Sequence, residues 1–358
     1  MTEFTTDDIR SSVQAGIVTE TQAASLMAHM QSRQGYRDQM TQDDEPFEFF
    51  KGFAEIFVTL GLGLLLWGLF GVLWLLGSFA VACVGVSVAS ILAARYYTLK
   101  RRMTLPSIAL AIAVIFPLSS LIVDLMVEGA LKSSTPVLIS SGIAALASLG
   151  YFVYFRLPFA MFLFGVNLLF ALYALVGQNV EIYMLFNGGV QNLFDLRTGS
   201  SLAFVSLIYG FAMMALGLWF DMKDPHRISR YSVTGFWLHI LAAPALVNTA
   251  AMTAYNIGGA VGIGLTALLL AIVTLFAIVI DRRSFLTAGL FYFIAVLTWA
   301  MTNSLGDMNG SVAIIFVVGA IFTAIGTWWV QIRSHLMMRL PDFPGKSKLP
   351  PINDPRFT

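Results

Sequence analysis

The chain carries little charge and a single cysteine. Aspartate, glutamate, lysine and arginine make up 11% of its 358 residues, and apolar residues make up 58%. A soluble domain carries about 25% charged residues, so this composition excludes one as the main part of the chain. Cys83 has no second cysteine to pair with, which excludes an intramolecular disulfide and a thiolate metal cluster.

Enzyme motifs are also missing. The sequence contains no His-Glu-x-x-His zinc helix, no P-loop and no Gly-x-Ser-x-Gly elbow. The formal net charge of +1 adds no information about function, because the distribution of the charges along the chain is what is informative. We therefore expect no catalytic residue, metal, cofactor or nucleic acid. A membrane acyltransferase centred on His239 is the remaining enzymatic alternative.

Long apolar runs dominate what is present. A helix needs about 20 mostly apolar residues to cross a hydrocarbon layer of roughly 30 Å. Ten runs have this length, and they are residues 54–75, 78–96, 105–126, 136–155, 158–177, 200–220, 232–252, 260–280, 285–304 and 311–331. The sequence therefore predicts an all-α fold, a polytopic transmembrane helix bundle of about ten spans within residues 54–331, embedded in a lipid bilayer.

The positive charges are distributed unequally between the two sides of this threading. All but two of the 21 lysine and arginine residues fall on one side, and the exceptions are Lys132 and Arg197. Short loops rich in lysine and arginine stay in the cytoplasm by the positive-inside rule. We therefore predict that both termini are cytoplasmic.

The N-terminal residues 1–34 have the pattern of a small helical hairpin. Gly16 suits the left-handed end of a first helix, and Thr19 with Gln22 has the spacing of a capping box at the start of a second. Helices this short bury little surface alone. They need a partner, which is the membrane domain, another protein or a second copy of the chain.

The remaining segments outside the predicted spans are polar. Residues 35–53 form a linker and a juxtamembrane segment. Residues 332–358 form a cytoplasmic tail, which from Pro341 onward contains five prolines and no periodicity. This composition predicts a largely disordered tail.

Two short patterns resemble a known family. Ala15-Gly16-Ile17-Val18-Thr19 with Gln22, ahead of a polytopic region, resembles the N-terminus of bacterial membrane proteins grouped as domain of unknown function 2157. Asp224-Pro225-His226-Arg227, followed by Phe236-Trp237-Leu238-His239-Ile240-Leu241-Ala242-Ala243-Pro244, is also similar to proteobacterial proteins of this kind. The resemblance implies a bacterial inner-membrane protein, and it implies no activity.

Polar residues at membrane depth are the candidate functional residues, because each is costly in lipid. His239 lies within the seventh span, five residues before Pro244, which leaves a backbone carbonyl without its usual donor and kinks the helix. Asn167 lies near the middle of the fifth span. Together they predict an intramembrane polar site. In the alternative, a serine or carbonyl satisfies His239, and Asn167 only holds helices together.

Acidic residues near the ends of spans form a second group of candidates. Asp124 and Glu128 are four residues apart and share one face of the third span, where they predict an outer acidic pair or a solvated helix end. The remaining charged residues lie at the inner surface, and local ion pairs or contacts with lipid headgroups explain their presence there. They are Asp221, Asp224, Asp281, Lys223, Arg227, Arg282 and Arg283.

Two classes of function fit these patterns. The first is a carrier for a small solute or a lipid, favoured by the number of spans and by His239. The second is a non-transporting scaffold or sensor that binds partners through residues 1–34, favoured by the scarcity of polar residues inside the spans. A polar cavity lined by His239 and Asn167 would favour the carrier.

Overall fold

A computed structural model of the chain provides the fold. It describes residues 53–126, 134–177, 194–224, 230–283 and 323–350, with the isolated positions 12, 15, 17, 285, 316 and 319–321. The chain divides into two units, Met1–Glu45 and Pro46–Thr358.

The larger unit is helical, and its described residues contain no β-strand. The helices are α1 (Phe53–Leu76), α2 (Phe79–Ala94), α3 (Thr104–Met126), α4 (Thr135–Phe155), α5 (Phe159–Val176), α6 (Ser201–Asp221), α7 (Arg230–Tyr255), α8 (Gly259–Ile280) and α9 (Trp329–Arg339). A π-helical segment, Arg95–Lys100, continues α2. The ends of α1 to α8 agree with the first eight predicted spans to within about three residues.

Seven of these helices, α1 to α7, are long and apolar enough to cross a membrane. The chain is therefore a multi-pass membrane protein with an all-α fold. The ninth predicted span, 285–304, lies outside the described residues apart from Phe285, and the tenth, 311–331, is described only in part. The total of about ten spans stays a prediction.

Helix α1 presents most of its surface outward. Only 6% of its most apolar stretch is buried, and Trp67 and Leu75 are 80% and 88% exposed. A continuous apolar surface of this kind is unfavourable in water. It is therefore a surface for contact with lipid.

Two buried apolar clusters hold the bundle together. The first joins α1 to α5 with α7 and includes Leu110, Tyr151 and Trp237. The second joins α5 to α9 and includes Tyr209 and Leu238. Since α5 and α7 contribute to both clusters, they link the two parts of the bundle.

Glu55, in the first turn of α1, caps another helix. Its Oε2 atom accepts hydrogen bonds from the backbone N–H groups of Thr104 and Leu105, each at 3.1 Å. These residues begin α3, whose first N–H groups have no partner within the helix. The carboxylate satisfies two of them and lies at the positive end of the helix dipole.

The C-terminal segment is described as far as residue 350, and the predicted disorder of the tail stays a prediction. Helix α9 ends at Arg339, and residues 341–350 continue as turns and a short 3-10 helix, Lys346–Lys348. The chain folds back because Arg333 donates from Nη2 to the carbonyl of Pro350 at 2.7 Å. This hydrogen bond joins two positions of the segment that are 17 residues apart.

Most of the predicted N-terminal hairpin lies outside the described residues. Within it, the N–H of Ile17 donates to the carbonyl of Ser12 at 3.0 Å. A bond across five residues is typical of a helix end. The hairpin itself stays a prediction.

Candidate functional site

His239 is fully buried in the bundle and contacts an aspartate. Its side chain is 0% exposed, and its Nε2 atom lies 2.9 Å from Oδ2 of Asp221. Asp221 is the last residue of α6 and is 6% exposed. His239 lies about 14 Å along α7 from its first residue, Arg230. The contact therefore joins the end of α6 to the interior of α7.

Arg282 brings α8 into the same site. Asp281 ends α8 in a left-handed conformation with φ of 56°, and this turn directs the chain so that Arg282 is 1% exposed. The Nε atom of Arg282 donates to Oδ2 of Asp221 at 3.0 Å, and Nη2 donates to Oδ1. Asp221, His239 and Arg282 form what we call the charge cluster.

Ser232, in the first turn of α7, also contacts Arg282. Its carbonyl accepts from Nη2 of Arg282 at 2.9 Å, and its hydroxyl lies 3.3 Å from the same atom. On the apolar side, the ring of Phe285 lies 5.7 Å from the imidazole of His239. Hydrogen bonds and charges are stronger in such a low-dielectric environment than in water.

The protonation of His239 sets the charge of the site. An ionised carboxylate only accepts hydrogen bonds, so neutral His239 donates to Asp221 through Nε2–H. Asp221 and Arg282 then cancel, and the cluster has a formal charge of zero. A proton gained by His239 adds one positive charge to these three buried side chains.

Two glycines make room for the cluster, and their positions are reciprocal. Gly217 precedes Asp221 by one turn of α6, and a Cβ atom there would lie 2.8 Å from Cε1 of the His239 ring. Gly235 precedes His239 by one turn of α7, and a Cβ there would overlap the Asp221 carboxylate. Each helix therefore has a glycine where the polar side chain of the other helix packs.

Asp281, the residue before Arg282, makes a second set of buried polar contacts. Asp281 accepts a hydrogen bond from the indole Nε1 of Trp329 at 2.6 Å, and its Oδ1 lies 3.8 Å from Nε of Arg333. Trp329 is 1% exposed and begins α9. Consecutive residues after α8 therefore contact different parts of the protein, since Arg282 contacts α6 and α7 while Asp281 contacts α9.

Asn167 and Pro244 lie apart from these contacts. The Nδ2 atom of Asn167 donates to the carbonyl of Leu163 within α5 at 2.8 Å. No hydrogen bond between Asn167 and His239 occurs among the described residues. Helix α7 continues through Pro244 from Arg230 to Tyr255.

Asp124 lies beside a surface groove, and Glu128 lies outside the described residues. The groove has a volume of about 370 Å³ and is lined by Phe79, Phe116, Ser119, Ser120, Val123 and Asp124. Asp124 is exposed near the end of α3. Because helices alternate in direction along the chain, this groove lies at the end of the bundle opposite to the charge cluster.

Comparison with known proteins gives no family for the site. The chain matches no protein-family model, no curated protein and no solved structure. The functional inference therefore rests on the structure alone.

The sequence predicted one member of the charge cluster and assigned the other two to the surface. Asp221 and Arg282 lie at the ends of apolar runs, where solvated charges are common. A signal was nevertheless present, because the spacings Gly217-x₃-Asp221 and Gly235-x₃-His239 place a small residue one turn before a polar one in consecutive spans. Such a pair indicates two helices that approach closely at polar side chains.

Proposed function

We propose that the protein is a membrane carrier for a small solute or a lipid, and that the charge cluster is a protonation-sensitive latch between α6, α7 and α8. The observation that supports this proposal is the burial of three ionisable side chains at 0%, 6% and 1% exposure across three helices. The proposal includes the predicted setting, a bacterial inner membrane with the latch on the cytoplasmic side.

Energetics favours a latch over a simple structural tie. Removing an ion pair from water is expensive, and replacing a buried pair by apolar residues is often neutral or stabilising. A buried carboxylate, guanidinium and imidazole therefore add little stability relative to an apolar contact. Their chemical advantage is that one proton on His239 changes the charge of the site.

The direction of the response follows from the charge count. With neutral His239 the cluster is balanced, and the helices stay closed around it. With protonated His239 the excess charge favours hydration, which requires the ends of α6, α7 and α8 to separate. A carrier needs such an alternation between closed and open states at one side of its bundle.

A scaffold or sensor that binds partners through residues 1–34 is the second candidate. The complete burial of His239 and the hydrogen bond of Asn167 within its own helix favour it, because both fit a dry and permanently packed bundle. In this case the charge cluster would be a static connection. The two functions thus differ in whether water reaches the cluster.

A single-cysteine experiment separates them. Ser232→Cys in a Cys83→Ala background places a thiol beside Arg282 and keeps the Ser232 carbonyl. Labelling by an impermeant methanethiosulfonate is measured in inverted vesicles between pH 8 and pH 5. The reference is Met222→Cys, because Met222 follows α6 and is 37% exposed.

The carrier proposal expects labelling at position 232, relative to position 222, to rise as the pH falls. The rise should be larger than in the same variants with His239→Gln added, because these keep the thiol beside Arg282 but glutamine cannot gain a proton. Protection of position 232 at every pH would overturn the carrier proposal and support the scaffold.

A further inference from the structure

The groove beside Asp124 has the features of a binding site for an organic cation. Its volume of about 370 Å³ falls within the range of small-molecule sites, roughly 300–1,000 Å³. It lies between the start of α2, which supplies Phe79, and the last turns of α3, which supply the other lining residues. We propose that this groove binds an organic monocation that carries an apolar group.

The charge of the groove favours a cation. Among the described lining residues Asp124 is the one ionisable group, and its carboxylate forms no hydrogen bond or ion pair with another described residue. The hydroxyl of Ser120 donates to the carbonyl of Phe116 at 2.9 Å. The Ser120 hydroxyl therefore leaves the carboxylate of Asp124 available to a ligand.

The aromatic residues favour an organic cation over a metal ion. Phe79 and Phe116 line the same groove as Asp124, and the face of an aromatic ring attracts an ammonium group within about 6 Å. A calcium ion takes six to eight oxygen ligands, whereas the described residues of the groove supply one carboxylate. One acid with two phenyl rings thus matches a quaternary or tertiary ammonium with an apolar substituent.

This inference does not depend on the proposed carrier function. Binding at equilibrium requires neither transport nor movement of the charge cluster, which lies at the opposite end of the bundle. Failure of one proposal therefore leaves the other unaffected.

The test uses the full chain in nanodiscs of phosphatidylglycerol, whose headgroup carries no ammonium to compete. The probe is radiolabelled benzyltrimethylammonium, with binding to protein-free nanodiscs subtracted. Benzylsulfonate, which has the same ring and the opposite charge, is the ligand control. Asp342→Asn is the protein control, because Asp342 has an exposed side chain in the segment after α9 and makes the same change of charge away from the groove.

The expected result is saturable binding of benzyltrimethylammonium to the unmodified chain and, equally, to the Asp342→Asn variant. Asp124→Asn should weaken binding by at least about tenfold, because it removes a Coulomb attraction at contact distance. Phe116→Leu should weaken binding a few-fold through loss of one ring. Asp124 and Phe116 are exposed, so both variants should keep the melting temperature of the unmodified chain. Unchanged binding by Asp124→Asn, equal binding of benzylsulfonate, or no saturable binding would overturn the proposal.

Discussion

Replacing Asp221 by asparagine should destabilise the membrane domain strongly. The substitution keeps the shape of the side chain but leaves the guanidinium of Arg282, which is 1% exposed, without its counter-charge. Breaking a buried pair by removal of one partner costs about 3–5 kcal/mol. The remaining amide oxygen can still accept from Arg282 or His239, so we expect the lower half of that range.

A double-mutant cycle separates this effect from loss of packing. Arg282→Met removes the positive charge and keeps a long side chain. In the Asp221→Asn/Arg282→Met double variant neither charge remains, so its free energy of unfolding should exceed that of Asp221→Asn by about 1–3 kcal/mol. The assay is unfolding of the purified chain in mixed micelles, followed by tryptophan fluorescence as the denaturing detergent increases.

Two results would refute the coupling of Asp221 and Arg282. If Asp221→Asn costs less than about 1 kcal/mol, the pair behaves as a solvated surface ion pair. If the double variant is as unstable as the sum of the two single variants, Asp221 and Arg282 are not energetically coupled. Either result would remove the physical basis of the latch.

Three further substitutions test other contacts of the fold. Glu55→Ala should lower stability by about 1–2 kcal/mol, because the first N–H groups of α3 lose their buried cap; thermal unfolding measures this loss, and an unchanged melting temperature would contradict the capping role. Gly217→Ala should lower the free energy of unfolding by about 1–3 kcal/mol, because the new methyl group overlaps the His239 ring. The control is Gly142→Ala, where a Cβ meets no atom within 4 Å. This control variant should lose no stability in the same assay. Trp329→Phe removes the hydrogen bond to Asp281; limited proteolysis should then cleave near α9 faster than in the unmodified chain, and equal cleavage rates would show that this contact does not hold α9.

Apolar length predicted the membrane helices well. The crossing length of the hydrocarbon layer fixes how long an apolar run must be, so the ends of α1 to α8 follow from where such runs begin and end. The C-terminal segment was harder to predict. Arg333 and Lys346 donate to the carbonyls of Pro350 and Leu340, 17 and 6 residues away, and such contacts leave no periodic pattern in the sequence.

The candidate site was predictable only in part. His239 stands out because an imidazole inside an apolar run is unusual, but its partner depends on which helices pack together. Asp221 precedes it by 18 residues and Arg282 follows Asp221 by 61 along the chain. Only the packing of α6, α7 and α8 brings them together, and sequence order does not determine that packing. The candidate polar site of His239 and Asn167 stays a prediction, and the sequence reasoning did not consider charges at the span ends as buried partners of His239.

The protonation of His239 is the quantity on which the proposed latch depends. Histidine labelled with ¹⁵N, observed by solid-state NMR in lipid bilayers, reports it directly when the other histidines are changed by His29→Gln, His226→Gln and His335→Gln. At pH 8 we predict one neutral imidazole with its proton on Nε2, as donation to Asp221 requires. Between pH 8 and pH 5 its signal should convert to that of an imidazolium, over the same pH range in which position 232 becomes accessible. An imidazole that stays neutral throughout this range, or one that carries its proton on Nδ1 at pH 8, would contradict a latch controlled by His239.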